Sequence, residues 1–428
     1  MATLIVSPGP LAGEIALPPS KSHTMRAILF GAMGSGATRI SAYLESPDTH
    51  AMVAAMRLFG AEIKVDPNSM EIVGVGGKLR PCEDIIQSGN SGQVLRFCGA
   101  LAALSPAYTV ITGDHSVRHN RPVVPLLSAL QQLGAFATSS RLDGYAPIII
   151  RGPIEPGFAE LNGEDSQPVS ALLIATSFLN GASRLSVKNP GERPWIDLTL
   201  SWLARLGGTV THRNYEEYTI EGGLAYPGFE VAIPGDFSSA AFPLSAALIT
   251  GSAITVRGVD MGDVQGDKKI IDHLIQMGAK IESNKAHRSL TVKAGPPLKG
   301  AKINVNEIID ALPILATLAC FAQSETELTG ASIARTKECD RIHAIAIELR
   351  KMGAQIEERE DGLLIAPSPL QGALLTSHAD HRIAMALSVA ALGAKGASRI
   401  DGIECIGKSY PTFIQDMRRL NAAFKVEG

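Results

Sequence analysis

Aromatic residues are scarce in this chain, 5% of 428 with two tryptophans. That scarcity removes the stacking platform on which single-stranded nucleic acids are bound. An excess of one charge sign is lacking too. Lys and Arg number 39 against 42 Asp and Glu, a net of −3, which gives no ground for a nucleic-acid or membrane-surface partner. The five cysteines, Cys82, Cys98, Cys320, Cys339 and Cys405, form no CxxC pair, so neither a zinc site nor a disulfide framework is expected. The opening residues MATLIVSPGPLAGE have no basic segment followed by a long apolar stretch, unlike a signal peptide. Apolar runs such as ALPILATLACFA are too short to span a bilayer. The expectation is a soluble cytoplasmic protein with reduced thiols. With 45% apolar residues, the chain is long enough for a large core and more than one domain.

What the chain does have is a period. Five amphipathic stretches end in a large apolar residue, a glycine, a small residue and a β-rich run: MRLFGAEI, LQQLGAFA, LARLGGTV, LIQMGAKI and LRKMGAQI. Their glycines, Gly60, Gly134, Gly207, Gly278 and Gly353, follow one another at steps of 74, 73, 71 and 75 residues. A sixth stretch, MRRLNAAF, sets Asn421 in the same place 68 residues on. Gly or Asn just past a helix marks a left-handed C-terminal cap. Upstream of each lies a more apolar helix, from MRAILFGAMGSGATRI in the first copy to RIAMALSVAALGAKGASRI in the sixth. Being apolar nearly all round, it belongs at the centre of a core, with the amphipathic helix nearer the surface. Six such units of roughly 71 residues account for the chain as an α/β protein. Three units per lobe would give two lobes with a cleft between them.

The starts of these helices keep the same step. Taken at positions 21, 91, 166, 238, 310 and 381, the apolar helices begin 70, 75, 72, 72 and 71 residues apart. Ser, Asn and Asp at such places read as caps worth about 1 kcal/mol each. For Asp48, Asp236, Ser238, Ser239 and Asp267 capping is explanation enough. It does not explain Lys21, Arg26, Arg96, Arg121, Arg193, Arg341, Arg382 and Lys408, all placed at or within the first turn of a helix. There the dipole opposes a cation by about 0.3–1 kcal/mol. Eight such cations on a slightly acidic chain ask for an anionic ligand, because helix starts and cationic side chains together hold phosphate or carboxylate.

The stretches LPPSKSHTMRA, GNSGQVLRF, NRPVVPLL, DSQ, IID, TKECDRI, ADHRIAMA and GKSYPTF follow one another along the full length. In this order and spacing they resemble the enolpyruvyl transferase family, in particular its members acting on shikimate 3-phosphate. The resemblance implies a two-lobed inside-out α/β barrel of six repeats, three per lobe, that closes on substrate. The chain would cross near Ser20 and near Asp236, so that residues 1–19 and 236–428 form one lobe and residues 20–235 the other, the shikimate 3-phosphate side. It implies transfer of the enolpyruvyl group of phosphoenolpyruvate to the 5-hydroxyl of shikimate 3-phosphate, with release of phosphate, in aromatic amino-acid biosynthesis. A monomer with no metal or organic cofactor is expected.

Carried over position by position, the resemblance gives each residue a role. Ser22 and Arg26 would hold shikimate 3-phosphate, and Lys21 would touch both substrates. Asn90 belongs to the binding set, and Gly92 would let backbone approach phosphoenolpyruvate where a Cβ would not fit. Arg121, Arg341, Arg382 and Lys408 would bind phosphoenolpyruvate. Ser166 would contact the shikimate phosphate, and Gln167 would bridge the two ligands. Asp310 and Lys337 would face the shikimate hydroxyls. The chemistry needs a base at the 5-hydroxyl and an acid at the methylene carbon of phosphoenolpyruvate. Asp310 is the candidate base and Glu338 the candidate acid, with Lys21 as a third participant; which of the three moves which proton stays open. Arg96 reads equally well as a structural partner of a carboxylate beneath the cleft.

Some positions depart from the common pattern. Asp165 stands where a serine often helps bind the shikimate phosphate, so its charge must turn away. Glu192 replaces a small polar residue, and Arg193 beside it is a candidate to take over the phosphate contact. Gln93 and Ile333 stand where Thr and Asn are frequent. The sister enzymes acting on a UDP-amino sugar commonly carry a cysteine five residues before the arginine of their RPV loop, where this chain has Ser116. A non-catalytic phosphate-ligand binder would leave Asp310 and Glu338 dispensable. A terminal-phosphate cyclase would need the basic, aromatic track that is missing.

Overall fold

The computed structural model describes residues 2–428. They form a mixed α/β fold built on six four-stranded sheets. Every sheet has one pattern: an edge strand parallel to its neighbour, then two antiparallel pairings. Glu230–Ala232, Ala37–Ser41, Ser69–Val73 and Glu62–Asp66 make one such sheet. Ile86–Gln87, Thr109–Thr112, Ile148–Arg151 and Phe136–Ser139 make the next. Phe158–Asn162, Ser183–Lys188, Glu217–Ile220 and Val210–Arg213 make the third. The pattern returns in the sheets centred on Ala253–Arg257 and Thr326–Thr329. In the sixth, the N-terminal strand Thr3–Ser7 takes the third place, between Ser398–Asp401 and Ala423–Glu427.

The residues divide into two compact units, one of Ser20–Ile233 and one joining the chain up to Pro19 with Pro234–Gly428. Hydrogen bonding explains the discontinuous one. Thr3–Ser7 and Ala12–Ala16 are edge or inner strands of sheets whose other members all come from the C-terminal half. Leaving them out would expose rows of unpaired N–H and C=O groups.

Each unit holds three central helices. They are Lys21–Met33, Gly92–Ala102 and Ser166–Ser177 in one, and Phe237–Ile249, Leu312–Cys320 and His381–Gly393 in the other. Their burial matches their all-round apolar sequence; every residue of Gly92–Ala102 is buried. Shortening one of these side chains, for example Leu95→Ala, removes about 2–5 kcal/mol. The outer helices end as the period predicts. Gly60, Gly134, Gly207, Gly278, Gly353 and Asn421 all lie in the left-handed region, with φ from 70° at Asn421 to 104° at Gly278. Only a residue that tolerates positive φ closes such an end cheaply.

Five of the six central helices are capped by a side chain at their start: Ser20, Ser91, Asp165, Asp236 and Asp380. Leu312–Cys320 is not. A 3-10 turn over Asn306–Ala311 precedes it, and Ala311 occupies its cap. Asp310 therefore stands at this helix start without capping it. Asp48 is not a cap either, because Ser46 accepts from the N–H of Thr49 at the start of Pro47–Leu58.

Candidate functional site

In the unit that contains the C-terminus, four helix starts come together around one carboxylate. Asp310 accepts from Arg341 Nη1 at 2.7 Å and from Arg382 Nη2 at 3.0 Å. Arg341 is the first residue of Arg341–Lys351 and Arg382 the second of His381–Gly393. The same Arg382 Nη2 donates to Ser238 Oγ at 2.8 Å, on the first turn of Phe237–Ile249. Helix propensity thus delivers four side chains to one spot, because each sits where its helix begins.

Arg341 is the hub. Its Nε donates to Asp380 at 2.7 Å and its Nη2 to Glu338 at 2.8 Å. Burial works to strip the proton from this guanidinium, but Asp380, Glu338 and Asp310 outweigh it and hold it well above its ordinary value. Glu338 spans two cations, since Lys408 Nζ donates to its other oxygen at 2.6 Å. Three carboxylates are thus interleaved with Arg341, Arg382 and Lys408, and all but Asp310 are nearly inaccessible. Arg382 keeps unused capacity: its Nε and Nη1 are buried without any hydrogen-bond partner. Buried guanidinium donors left unmade are costly unless an anion meets them. The ion pairs show that these cations are not simply waiting for a ligand, as the sequence suggested. Their own carboxylates hold them in place.

In the other unit the point of convergence is Gly92, the first residue of Gly92–Ala102. A Cβ there would lie 2.5 Å from Arg121 Nη1, 2.7 Å from Arg96 Nη1 and 3.0 Å from Gln167 Oε1. Glycine is what lets two arginines and an amide meet over a helix start. Arg121 reaches neutral acceptors, Asn90 Oδ1 at 3.3 Å and Ser116 Oγ at 3.4 Å. Asn90 is itself oriented by Asp114 at 2.7 Å. Arg96 ties Gln167 Oε1 at 3.0 Å to Asp165 at 2.9 Å, so Arg96 takes the structural role. Asp165 caps its own helix at the N–H of Gln167 and turns its charge onto Arg96. Lys21, at the head of Lys21–Met33, lies 3.6 Å from Asp48.

Arg26 is the least compensated cation. It is 1% exposed, and its donors reach only Thr199 Oγ1 and the carbonyls of Trp195 and Ser22, at 2.8 to 3.2 Å. The guanidinium also lies 5.3 Å from the ring centre of Phe97. With no carboxylate beside it, burial pulls its pKa down to about 9. A buried cation without a counterion is what an anionic ligand stabilises most.

Not every expected cation stands where the sequence put it. Arg26 and Arg96 lie in second turns, as the sixth and fifth residues of their helices. Arg121 precedes Val124–Gln132 by three residues, and Lys408 closes the short 3-10 segment Ile403–Lys408. Arg193 does head Arg193–Arg205, but it is exposed, with its guanidinium 5.4 Å from the ring centre of Tyr215. Glu192, not Arg193, is the residue bonded to Ser166, at 3.0 Å to its N–H and 3.1 Å to its hydroxyl. Lys337 ends the 3-10 segment Ser332–Thr336, next to Glu338. Sequence reasoning missed Asp380, which is fully buried, grips Arg341 and caps the helix carrying Arg382. Its signal was its place immediately before His381-Arg382, which reads as an ordinary cap.

Among the described residues no helix is long and apolar enough to cross a membrane, and no cluster of His, Cys, Asp and Glu suited to a metal ion is present. Chemically, the two sets offer guanidinium groups, which bind anions, beside carboxylates. Residues 5–417 match the model of the family described as EPSP synthase (3-phosphoshikimate 1-carboxyvinyltransferase). The chain is 43% identical over 424 residues to the 3-phosphoshikimate 1-carboxyvinyltransferase of Chlamydia caviae, covering 99% of this chain and 94% of that protein. The enzyme of the same name from Methanocella arvoryzae is 43% identical over 423 residues, covering 98% and 99%. A solved EPSP synthase from Acinetobacter baumannii superposes with a TM-score of 0.84 at 30% identity over the whole of both chains. With its six sheets, its arginines gathered at helix starts and these relatives along its whole length, the chain belongs to the EPSP synthase (3-phosphoshikimate 1-carboxyvinyltransferase) family.

Proposed function

We infer that this protein transfers the enolpyruvyl group of phosphoenolpyruvate to the 5-hydroxyl of shikimate 3-phosphate and releases phosphate, and that the two residue sets described above are its substrate sites. The observation that carries the assignment of roles is Asp310, held by Arg341 and Arg382 where four helices begin. A phosphoenolpyruvate anion that pairs with those guanidiniums frees the Asp310 carboxylate to accept the proton of the 5-hydroxyl. That oxygen then bonds to the carbon bearing the phosphate ester, while the methylene carbon takes up a proton. Loss of that proton and cleavage of the C–O bond to phosphate restore the vinyl group.

Glu338 is the assigned acid. Once the ligand's charges have drawn Lys408 and Arg341 away from it, its carboxylate takes up a proton from water, passes it to the methylene carbon, and takes one back from the resulting methyl as phosphate leaves. Lys21, 3.6 Å from Asp48, serves both ligands through its flexible ammonium. Arg121, Arg341, Arg382 and Lys408 with Gly92 make the phosphoenolpyruvate set. Ser22, Arg26, Ser166, Asp310 and Lys337 make the shikimate 3-phosphate set, Gln167 bridges the two ligands, Asn90 belongs to the binding set, and Arg193 enters the shikimate 3-phosphate set only by leaving Tyr215. The finer architecture follows the same reading: two inside-out barrels of three repeats each, divided at the unit boundaries, in a cytoplasmic monomer. Phosphate release in a coupled assay, with each substrate omitted in turn, tests the reaction. Release that needs both substrates is expected, and release driven by a UDP-amino sugar would overturn the assignment.

A further inference from the structure

We propose that Glu192 is a built-in carboxylate plug at the start of Ser166–Ser177, which the phosphate of the substrate must displace, so that this residue sets the affinity for shikimate 3-phosphate. The inference rests on the reading of Ser166 as a phosphate contact. Glu192 Oε2 takes both hydrogen-bond donors of Ser166, the N–H at 3.0 Å and the hydroxyl at 3.1 Å. An N–H and a hydroxyl aimed at one oxygen at a helix start are the donors a phosphate oxygen would use. Ser166 is 2% and Glu192 3% exposed, so the carboxylate fills the place rather than bordering it.

Two further observations set this contact apart from ordinary packing. The side-chain cap of Ser166–Ser177 is Asp165, which accepts from the N–H of Gln167 at 2.9 Å, so Glu192 holds a separate donor pair, the N–H and hydroxyl of Ser166. Glu192 itself has φ 46° and ψ 39°, and its side chain makes no cap bond to the helix it precedes. A residue with a Cβ adopts left-handed backbone only against strain, and such strain gathers at elements with two states. Glu192 thus occupies an anion's place in a conformation its own backbone disfavours, next to a substrate group of the same charge. The other nearby carboxylate, Asp165, is neutralised by Arg96 at 2.9 Å.

A plug that is in place most of the time lowers apparent affinity by the fraction of time it is out. Removing a plug seated for about nine-tenths of the time tightens binding about tenfold. Glu192→Ser and Glu192→Gln are the variants, measured for the KM of each substrate and for competition by inorganic phosphate, alongside Ser166→Ala. The expected result is a KM for shikimate 3-phosphate lowered about tenfold in Glu192→Ser and less in Glu192→Gln, which keeps a neutral acceptor. Inorganic phosphate should compete more strongly in both, and the gain should appear in KM rather than in kcat. A merely structural Glu192 moves KM the other way, upward with the melting temperature falling, and that outcome overturns the proposal. If Ser166→Ala raises KM while both Glu192 variants leave it unmoved, the plug is wrong and the phosphate contact stands. If Ser166→Ala leaves KM unmoved, both fall together.

Discussion

Gly92→Ala separates binding from folding. The residue lies outside the left-handed region, so alanine fits its backbone, and alanine favours a helix over glycine by about 1 kcal/mol. The added methyl meets Arg121 Nη1 at 2.5 Å, whereas ordinary contact begins at 3.4 Å. The guanidinium must therefore retreat by 3.4 − 2.5 = 0.9 Å. Arg96 Nη1 at 2.7 Å and Gln167 Oε1 at 3.0 Å must also give way. These are the ends of flexible side chains, so the fold absorbs the change, but a contact from Arg121 to a bound anion does not survive a shift of that size. One hydrogen bond to a charged group is worth about 1.5–3 kcal/mol, which is roughly 10- to 150-fold in affinity. The expected variant has an unchanged or slightly raised melting temperature and a KM for phosphoenolpyruvate raised by about that factor. Steady-state phosphate release at saturating shikimate 3-phosphate measures it. A folded variant with unaltered KM for phosphoenolpyruvate, or one in which only the KM for shikimate 3-phosphate rises, would refute the placement of Arg121 at that ligand.

Further outcomes follow from the other set. Asp310→Asn keeps the shape but removes the proton acceptor, and kcat should fall by about 10²- to 10⁴-fold; near-normal turnover would remove Asp310 from proton transfer. Asp380→Ala leaves the buried Arg341 short of a counter-charge and uncaps the helix of Arg382. Such losses cost about 3–5 kcal/mol, to be read from urea unfolding, and a change under about 1 kcal/mol would contradict the ion-pair account. Glu348 gives a pH test. Burial acts to raise its pKa, but His378, Lys351 and the Thr376 N–H together outweigh it and hold the carboxyl below its ordinary 4.5. A depressed carboxyl stabilises the fold above its unfolded value and loses that contribution as pH falls through the folded value. Glu348→Gln should therefore flatten the loss of stability on acidification below 4.5, and an unchanged acid limb in denaturation would count against the arrangement.

The period of this chain was legible without coordinates because its signals are local. A glycine or asparagine after an amphipathic helix answers to positive φ at that one residue, and all six positions adopt it. All-round apolarity likewise needs no partner to say that a helix is buried. The presence of cations at helix starts was readable for Lys21, Arg193, Arg341 and Arg382, because a helix boundary is a local event too. What those cations touch was not. Arg341 meets carboxylates 31, 3 and 39 positions away, and no sequence window contains all of them. Arg193 and Glu192 are neighbours in the chain, yet one lies exposed over the half-buried ring of Tyr215 and the other is buried against Ser166. That division is set by the left-handed turn at Glu192 and by which side chain packing leaves room for. The sequence alone determined a repeated α/β chain bearing cations at helix starts, since each of those properties is fixed within a turn or two. Tertiary structure decided which cations are already neutralised, which stay uncompensated, as Arg26 does, and which carboxylate stands in an anion's place, because charge pairing in a low-dielectric interior depends on distances that only the folded chain sets.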